Sequence, residues 1–193
     1  MKSDIILAGV GGQGILSIAA VIGYAALNKK LILKQAEVHG MSQRGGAVQS
    51  NLRISDEEIS SDLIQSGRAD LILSVEPMES LRYLPWLSEK GWLVTNSKPY
   101  NNIPDYPDID SVYSEIKKLP NHIIIDADGI ASEMKSRKSS NMVVLGAAIP
   151  FLPFDWEDYE FGINKLFGRK GEEIVRTNLD ALKAGMEFCK TIK

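Results

Sequence analysis

The sequence predicts a three-layer α/β/α domain on a mostly parallel, Rossmann-like sheet, followed by a C-terminal helical segment. Three observations predict it. Residues 5–8, 70–75, 91–95 and 122–126 are short apolar runs bounded by glycine or polar residues, the pattern of buried parallel strands. Helical periodicity follows most of them, as a sheet covered on both faces requires. From Asn141 onward the pattern is helical alone. The 193 residues are expected to form one domain, with 1–140 as the α/β core and 141–193 as C-terminal helices.

In order, residues 5–8 lead through the glycine-rich residues 9–14 into a helix over 15–27, rich in alanine and glycine on its apolar face, so it can sit close to a sheet. A second strand starts at 31–33, making a βαβ unit. Residues 47–55 alternate, with Val48, Leu52 and Ile54 on one side and Gln49, Asn51, Arg53 and Ser55 on the other. That period of two predicts a half-exposed hairpin or edge strand. After the strand 70–75, Glu76-Pro77 opens a helix carrying Leu81, Leu84 and Leu87, with proline suited to the first turn. The strand 91–95 is followed by a proline- and Asp-rich loop over 101–110, a short amphipathic helix over 111–119, a strand beginning at His122, and a helix over 127–134. Residues 142–149 are almost all apolar or small, so that helix is buried or covered by a partner. Val175, Leu179, Leu182, Met186 and Cys189 form a helical seam, which makes Cys189 a core residue rather than a reactive thiol.

Composition excludes several functions. A net charge of −3 argues against a dedicated nucleic-acid binder. No apolar run reaches transmembrane length, which predicts a soluble protein without a membrane contact. One cysteine cannot form a disulfide within the chain, hold an iron–sulfur cluster or make a Cys-type zinc site, and it fits a cytoplasmic setting.

Two loops carry the candidate chemistry. Gly9, Gly11, Gly12, Gln13 and Gly14 form G-x-G-x-x-G between a strand and a helix. Their backbone N–H groups are placed to cradle a phosphate, or to form an interface turn. The acid expected about twenty residues on would be Glu37, about eight residues late for a dinucleotide fingerprint. Residues 35–46 mix an acid, a histidine, two glutamines, a serine and an arginine with three glycines. Within them Glu37, His39, Gly40, Met41, Ser42, Gln43, Arg44, Gly45 and Gly46 form a candidate partner-facing loop. His39 could act as an acid–base or as a polar contact. Alternatively, Glu37 pairs with Arg44 while His39 and Gln43 bind backbone. With no second histidine or cysteine nearby, no metal site is expected. Ser42 lacks an activating G-x-S-x-G context, so no catalytic residue is assigned. His122, the other histidine, reads as structural. Asp126 and Asp128 lie at the carboxyl end of a strand, where a cation could bind, although a helix cap explains them more simply.

The two loops together, G-V-G-G-Q-G at 9–14 and E-V-H-G-M-S-Q-R-G-G at 37–46, resemble the signature of the gamma-type subunit of 2-oxoacid:ferredoxin oxidoreductases, with the greatest similarity to the indolepyruvate-type small subunit. The similarity continues at 69–71, Glu76-Pro77, 92–96, 141–147, 171–175 and Asn178-Leu179. It implies an enzyme complex that decarboxylates a 2-oxoacid on thiamine diphosphate, passes electrons through iron–sulfur clusters to ferredoxin and acylates coenzyme A. This chain has no Gly-Asp-Gly thiamine motif and no cysteine set. The resemblance therefore implies an accessory subunit whose large partner carries thiamine diphosphate and the clusters. The competing reading is a stand-alone nucleotide-binding Rossmann-like protein.

Overall fold

The computed structural model describes residues 1–40, 45–101 and 103–191. Among the described residues six strands form one sheet: β1 (Lys2–Val10), β2 (Ile32–His39), β3 (Ala47–Ser55), β4 (Ala69–Ser74), β5 (Leu87–Asn96) and β6 (His122–Ile125), in the order β2-β3-β1-β4-β5-β6. The pairings β1–β4, β4–β5 and β5–β6 are parallel, whereas β3 runs antiparallel to both of its neighbours. The helices are α1 (Ile15–Asn28), α2 (Pro77–Arg82), α3 (Ile109–Lys117), α4 (Ala127–Glu133), α5 (Ser140–Ala148), α6 (Trp156–Phe167) and α7 (Glu172–Thr191). No helix among the described residues is long and apolar enough to cross a membrane.

The two faces of the sheet bury different sets. Ile5, Leu7, Leu52, Ile54, Leu71 and Leu73 pack beneath α1 and the C-terminal helices, while Ile6, Ala8, Ile72 and Leu93 meet Val112 and Ile116 of α3 on the other side. Helix α5, from Met142 to Ala148, is buried throughout. Its covering comes from α7: a Cβ built on Gly185 would lie 2.0 Å from the Val143 carbonyl oxygen, and one on Gly146 2.0 Å from that of Leu182. Only glycine permits that backbone contact.

Several sequence expectations change in detail. The strand after α1 does not pair with β1, because β3 inserts between them and leaves β2 at the edge. Residues 47–55 do form a hairpin strand, but an interior and mostly buried one. Its polar face is covered rather than solvated. Asn51 Oδ1 accepts from the Ile64 N–H at 3.3 Å, and the Arg53 guanidinium forks onto buried Asp4 while also donating to the Ser61 carbonyl. Helix α2 stops at Arg82; Leu84 sits in a 3₁₀ turn and Leu87 already belongs to β5. Pro85 lacks the N–H that a continuing α-helix needs. The buried stripe of α7 is Asn178, Ala181, Leu182, Gly185 and Cys189, with Val175, Leu179 and Met186 along its half-buried margin. The seam is therefore rotated toward the small residues that let α5 approach, and Cys189 lies in the core, 2% exposed.

Candidate functional site

The glycine turn follows β1, whose last residues lie at the carboxyl edge of the parallel strands. Gly9 admits no side chain: a Cβ there would meet Val75 Cγ2 at 2.4 Å and Ile15 Cδ1 at 2.9 Å. Gly14 caps α1 from the left-handed region, with φ of 82°. Its carbonyl accepts from Asn141 Nδ2 at 3.1 Å, so the start of α5 holds the start of α1.

Gln13, expected as a ligand contact, is occupied internally. Its Oε1 accepts from the Val10 N–H at 2.8 Å, and its Nε2 donates to the Val75 carbonyl at 3.4 Å. It closes the turn on itself and ties it to the end of β4. The open part of the turn is backbone. Among the described residues the N–H groups of Gly12, Gly14, Ile15 and Leu16 meet no acceptor, and the positive end of the α1 dipole lies with them.

The two sequence loops do meet. Gly11 N–H donates to the Gly46 carbonyl at 2.8 Å, and Gly45 N–H to the Gly11 carbonyl at 3.3 Å. Glu37 and His39 are not loop residues; both lie on β2, opposite Ser50 and Val48 of β3. The β-hairpin extends the chain through His39, because register with β3 supplies those backbone hydrogen bonds. Glu37, His39, Val48, Leu16 and Gly11–Gly12 line one open hollow of about 440 Å³. His39 Nδ1 donates to the Gly40 carbonyl at 3.0 Å, which leaves Nε2 as the acceptor of the neutral ring. Gly40 is exposed. Met41, Ser42, Gln43 and Arg44 lie outside the described residues, and with them the expected Glu37–Arg44 pair.

Other candidates resolve as structure. His122 Nδ1 donates to the Leu119 carbonyl at 2.7 Å. Asp126 caps α4 by accepting from the Gly129 N–H at 2.8 Å, and Asp128 accepts from Asn96 Nδ2.

Sequence reasoning missed Glu76. It is fully buried at the end of β4, next to Val75, and its carboxylate accepts from the Glu79 N–H at 2.7 Å, the Tyr100 N–H at 3.2 Å and the Tyr106 hydroxyl. Burial, reinforced by that carboxylate, pushes the Tyr106 hydroxyl well above the ordinary tyrosine range. The available signal was an acid directly after an apolar strand, with three tyrosines over 100–113.

The profile of the pyruvate ferredoxin/flavodoxin oxidoreductase family matches residues 4–188. The chain belongs to that family. Among curated relatives, the indolepyruvate oxidoreductase subunit IorB of Archaeoglobus fulgidus is 36% identical over 96% of this chain and 94% of its own. IorB of Pyrococcus horikoshii is 36% identical over 97% and 96%. Pyruvate oxidoreductase subunit PORC of Thermotoga maritima superposes with a TM-score of 0.70 at 25% identity, covering 96% of each chain. The 2-oxoglutarate:ferredoxin oxidoreductase of Magnetococcus marinus, solved with 2-oxoglutarate, coenzyme A and succinyl-CoA, shares the fold at a TM-score of 0.77 and 23% identity. This chain covers 32% of that one. The family named from residues 9–14 and 37–46 is thus the family that the whole length matches.

The thiolate count of this chain bears on one cofactor, an iron–sulfur cluster. An iron–sulfur cluster needs several thiolates, and the one cysteine is buried between α7 and the core. Among the described residues no three His, Cys, Asp or Glu side chains converge as metal ligands. Among the described residues, the hollow beside the glycine turn offers backbone N–H groups, the Glu37 carboxylate and the His39 imidazole.

Proposed function

We propose that this chain is the accessory small subunit of an indolepyruvate-type 2-oxoacid:ferredoxin oxidoreductase. The complex oxidatively decarboxylates aryl-2-oxoacids to acyl-CoA with ferredoxin as acceptor. Thiamine diphosphate and the iron–sulfur clusters are carried by a large partner subunit, and coenzyme A is a co-substrate of the whole. The supporting observation is the pair of hydrogen bonds between Gly11 and the Gly45–Gly46 segment. They join the glycine turn to Gly45 and Gly46, the described end of the signature segment, in one surface.

In this reading Glu37, His39 and residues 40–46 face the thiamine-bearing partner near its active-site entrance, and Gly9, Gly11, Gly12, Gln13 and Gly14 hold that surface in shape. His39→Ala and Arg44→Ala are expected to weaken complex formation or turnover while the chain stays folded. Unchanged assembly and unchanged turnover in both would sink the docking role. The open N–H groups at Gly12, Gly14, Ile15 and Leu16 favour a second reading, a stand-alone nucleotide-binding protein. Calorimetry of the isolated chain with NAD(P), FAD, FMN and coenzyme A separates the two, since tight binding to the lone subunit supports the second.

A further inference from the structure

Strand β2 ends the sheet, and the phase of its free edge follows from the ladder beside it. At one end of the β1–β3 pairing the Asp56 N–H donates to the Met1 carbonyl at 3.2 Å, and at the other the Gly11 N–H donates to the Gly46 carbonyl at 2.8 Å. Hydrogen-bonded pairs alternate with non-bonded pairs in an antiparallel ladder. The even-numbered residues of β3 therefore turn their backbone groups to β1, and the odd-numbered ones turn theirs to β2. The register sets those odd residues against Ile32, Lys34, Ala36 and Val38. The N–H and C=O groups of Leu33, Gln35, Glu37 and His39 thus point away from the sheet, where no strand among the described residues meets them. Apolar side chains gather at the same edge. Leu33 faces α1, since a Cβ on Gly23 would lie 3.2 Å from its Cδ2, so Ile32 and Val38 lie on the other face, both exposed. Leu16 and Leu27 share the stripe of α1 that carries Gly23, and both are exposed as well.

We propose that β2 pairs antiparallel with β2 of a second copy of this chain, joining the two sheets into one. A two-fold axis normal to the sheet keeps each face on its own side, so opposed residues must both be odd-numbered or both even-numbered. An axis at Ala36 opposes Leu33 to His39 and Gln35 to Glu37 of the other copy. All four outward residues then find partners within the strand, with two hydrogen bonds exchanged per pair. A shift of the axis to Gln35 or Glu37 leaves one of them unmatched. The side chains suit the same register. Each Glu37 meets an uncharged Gln35, each Lys34 meets Val38, and Ala36 meets its own copy, so no like charges are opposed and nothing large holds the edges apart. Strand β2 also has no proline and no bulge in its pairing with β3, two of the usual means of blunting an edge. This symmetry about Ala36 is what favours a second copy over an unrelated strand. The pairing lies in the plane of the sheet and leaves the Glu37 and His39 side chains on the face toward the hollow. It therefore stands apart from the chain's role as a subunit.

Sedimentation equilibrium and cysteine cross-linking of the full chain test it. The wild type is expected to form a reversible dimer. Gln35→Pro removes an outward N–H and no bond to β3, so it keeps the far-ultraviolet circular dichroism of the fold. It should raise the dimer dissociation constant about tenfold or more, because symmetry removes the bond twice. Ala36→Cys sets two thiols across the axis with Cβ atoms about 5 Å apart, and mild oxidation should link the chains. Ile32→Cys thiols would stand about 27 Å apart and stay unlinked. Native Cys189 is buried and takes no part. A wild type that remains monomeric at about 100 μM, as it would if the edge accepted a strand only from another protein, overturns the proposal. So does a dimer that Gln35→Pro leaves unchanged, or one that Ile32→Cys links and Ala36→Cys does not.

Discussion

Replacing Gly14 with alanine tests how the glycine turn is held, and the structure gives the size of the effect. Gly14 sits at φ 82° and ψ 25°, where an L-residue costs about 1–2 kcal/mol. The added Cβ would also lie 2.5 Å from Asn141 Nδ2 and 3.2 Å from its Cγ. The amide must swing away, losing its 3.1 Å bond to the Gly14 carbonyl, worth about 1 kcal/mol. Gly14→Ala should therefore cost about 2–3 kcal/mol in the wild type. In an Asn141→Ala background there is nothing to displace, and the same change should cost about 1–2 kcal/mol, the backbone part alone. A double-mutant cycle by urea unfolding reads the difference as a coupling of about 1 kcal/mol, above the roughly 0.3–0.5 kcal/mol scatter of independent sites. Additive costs would refute the idea that Asn141 supports the turn.

Three further outcomes follow from the packing. Gly185→Ala should destabilise by about 1–3 kcal/mol despite alanine's better helix propensity, because the 2.0 Å approach to the Val143 carbonyl forces α5 and α7 apart; an unchanged urea midpoint would contradict that contact. Tyr159 is fully buried and its hydroxyl has no partner among the described residues. Tyr159→Phe should be neutral or stabilising by up to about 1 kcal/mol, and a loss of that size in thermal unfolding would mean the hydroxyl is bonded. The Asp155 carboxylate holds the Lys29 ammonium above its usual pKa of 10.5. A raised amine contributes stability that is fully present below pH 10.5 and lost as pH rises through the folded value. Lys29→Met should therefore flatten the alkaline limb of the stability profile, and an unaltered limb would remove the pair from the account.

The parallel part of the fold was legible because its strands read as apolar runs: Ile5–Ile6–Leu7 is buried on both faces, and the edge run Ile123–Ile124–Ile125 is buried at Ile123 and Ile125 and half-buried at Ile124. Strand order was not, since periodicity states that 47–55 is a strand but not which neighbours it takes. The polar residues Asn51 and Arg53 read as solvent-facing because their partners, Ile64 N–H and Asp4, are distant in sequence. The same holds at the site. The glycine spacing and the mixed composition of 35–46 marked the two segments, and their hydrogen bonds join them. Glu37 and His39 looked like loop residues because polar side chains on an edge strand carry no inward apolar signal. Glu76 and Asn141 were opaque for another reason: each acts through contacts to segments 24 or more residues away, Tyr100 for one and Gly14 for the other.

The most direct test of the subunit assignment is to isolate the chain under native conditions from its source, through an affinity tag on its own C-terminus, and weigh what comes with it. The account predicts a heteromeric complex containing a large subunit with bound thiamine diphosphate and iron–sulfur clusters, and indolepyruvate-dependent reduction of ferredoxin. Recovery of the chain alone, carrying a nucleotide, would contradict it.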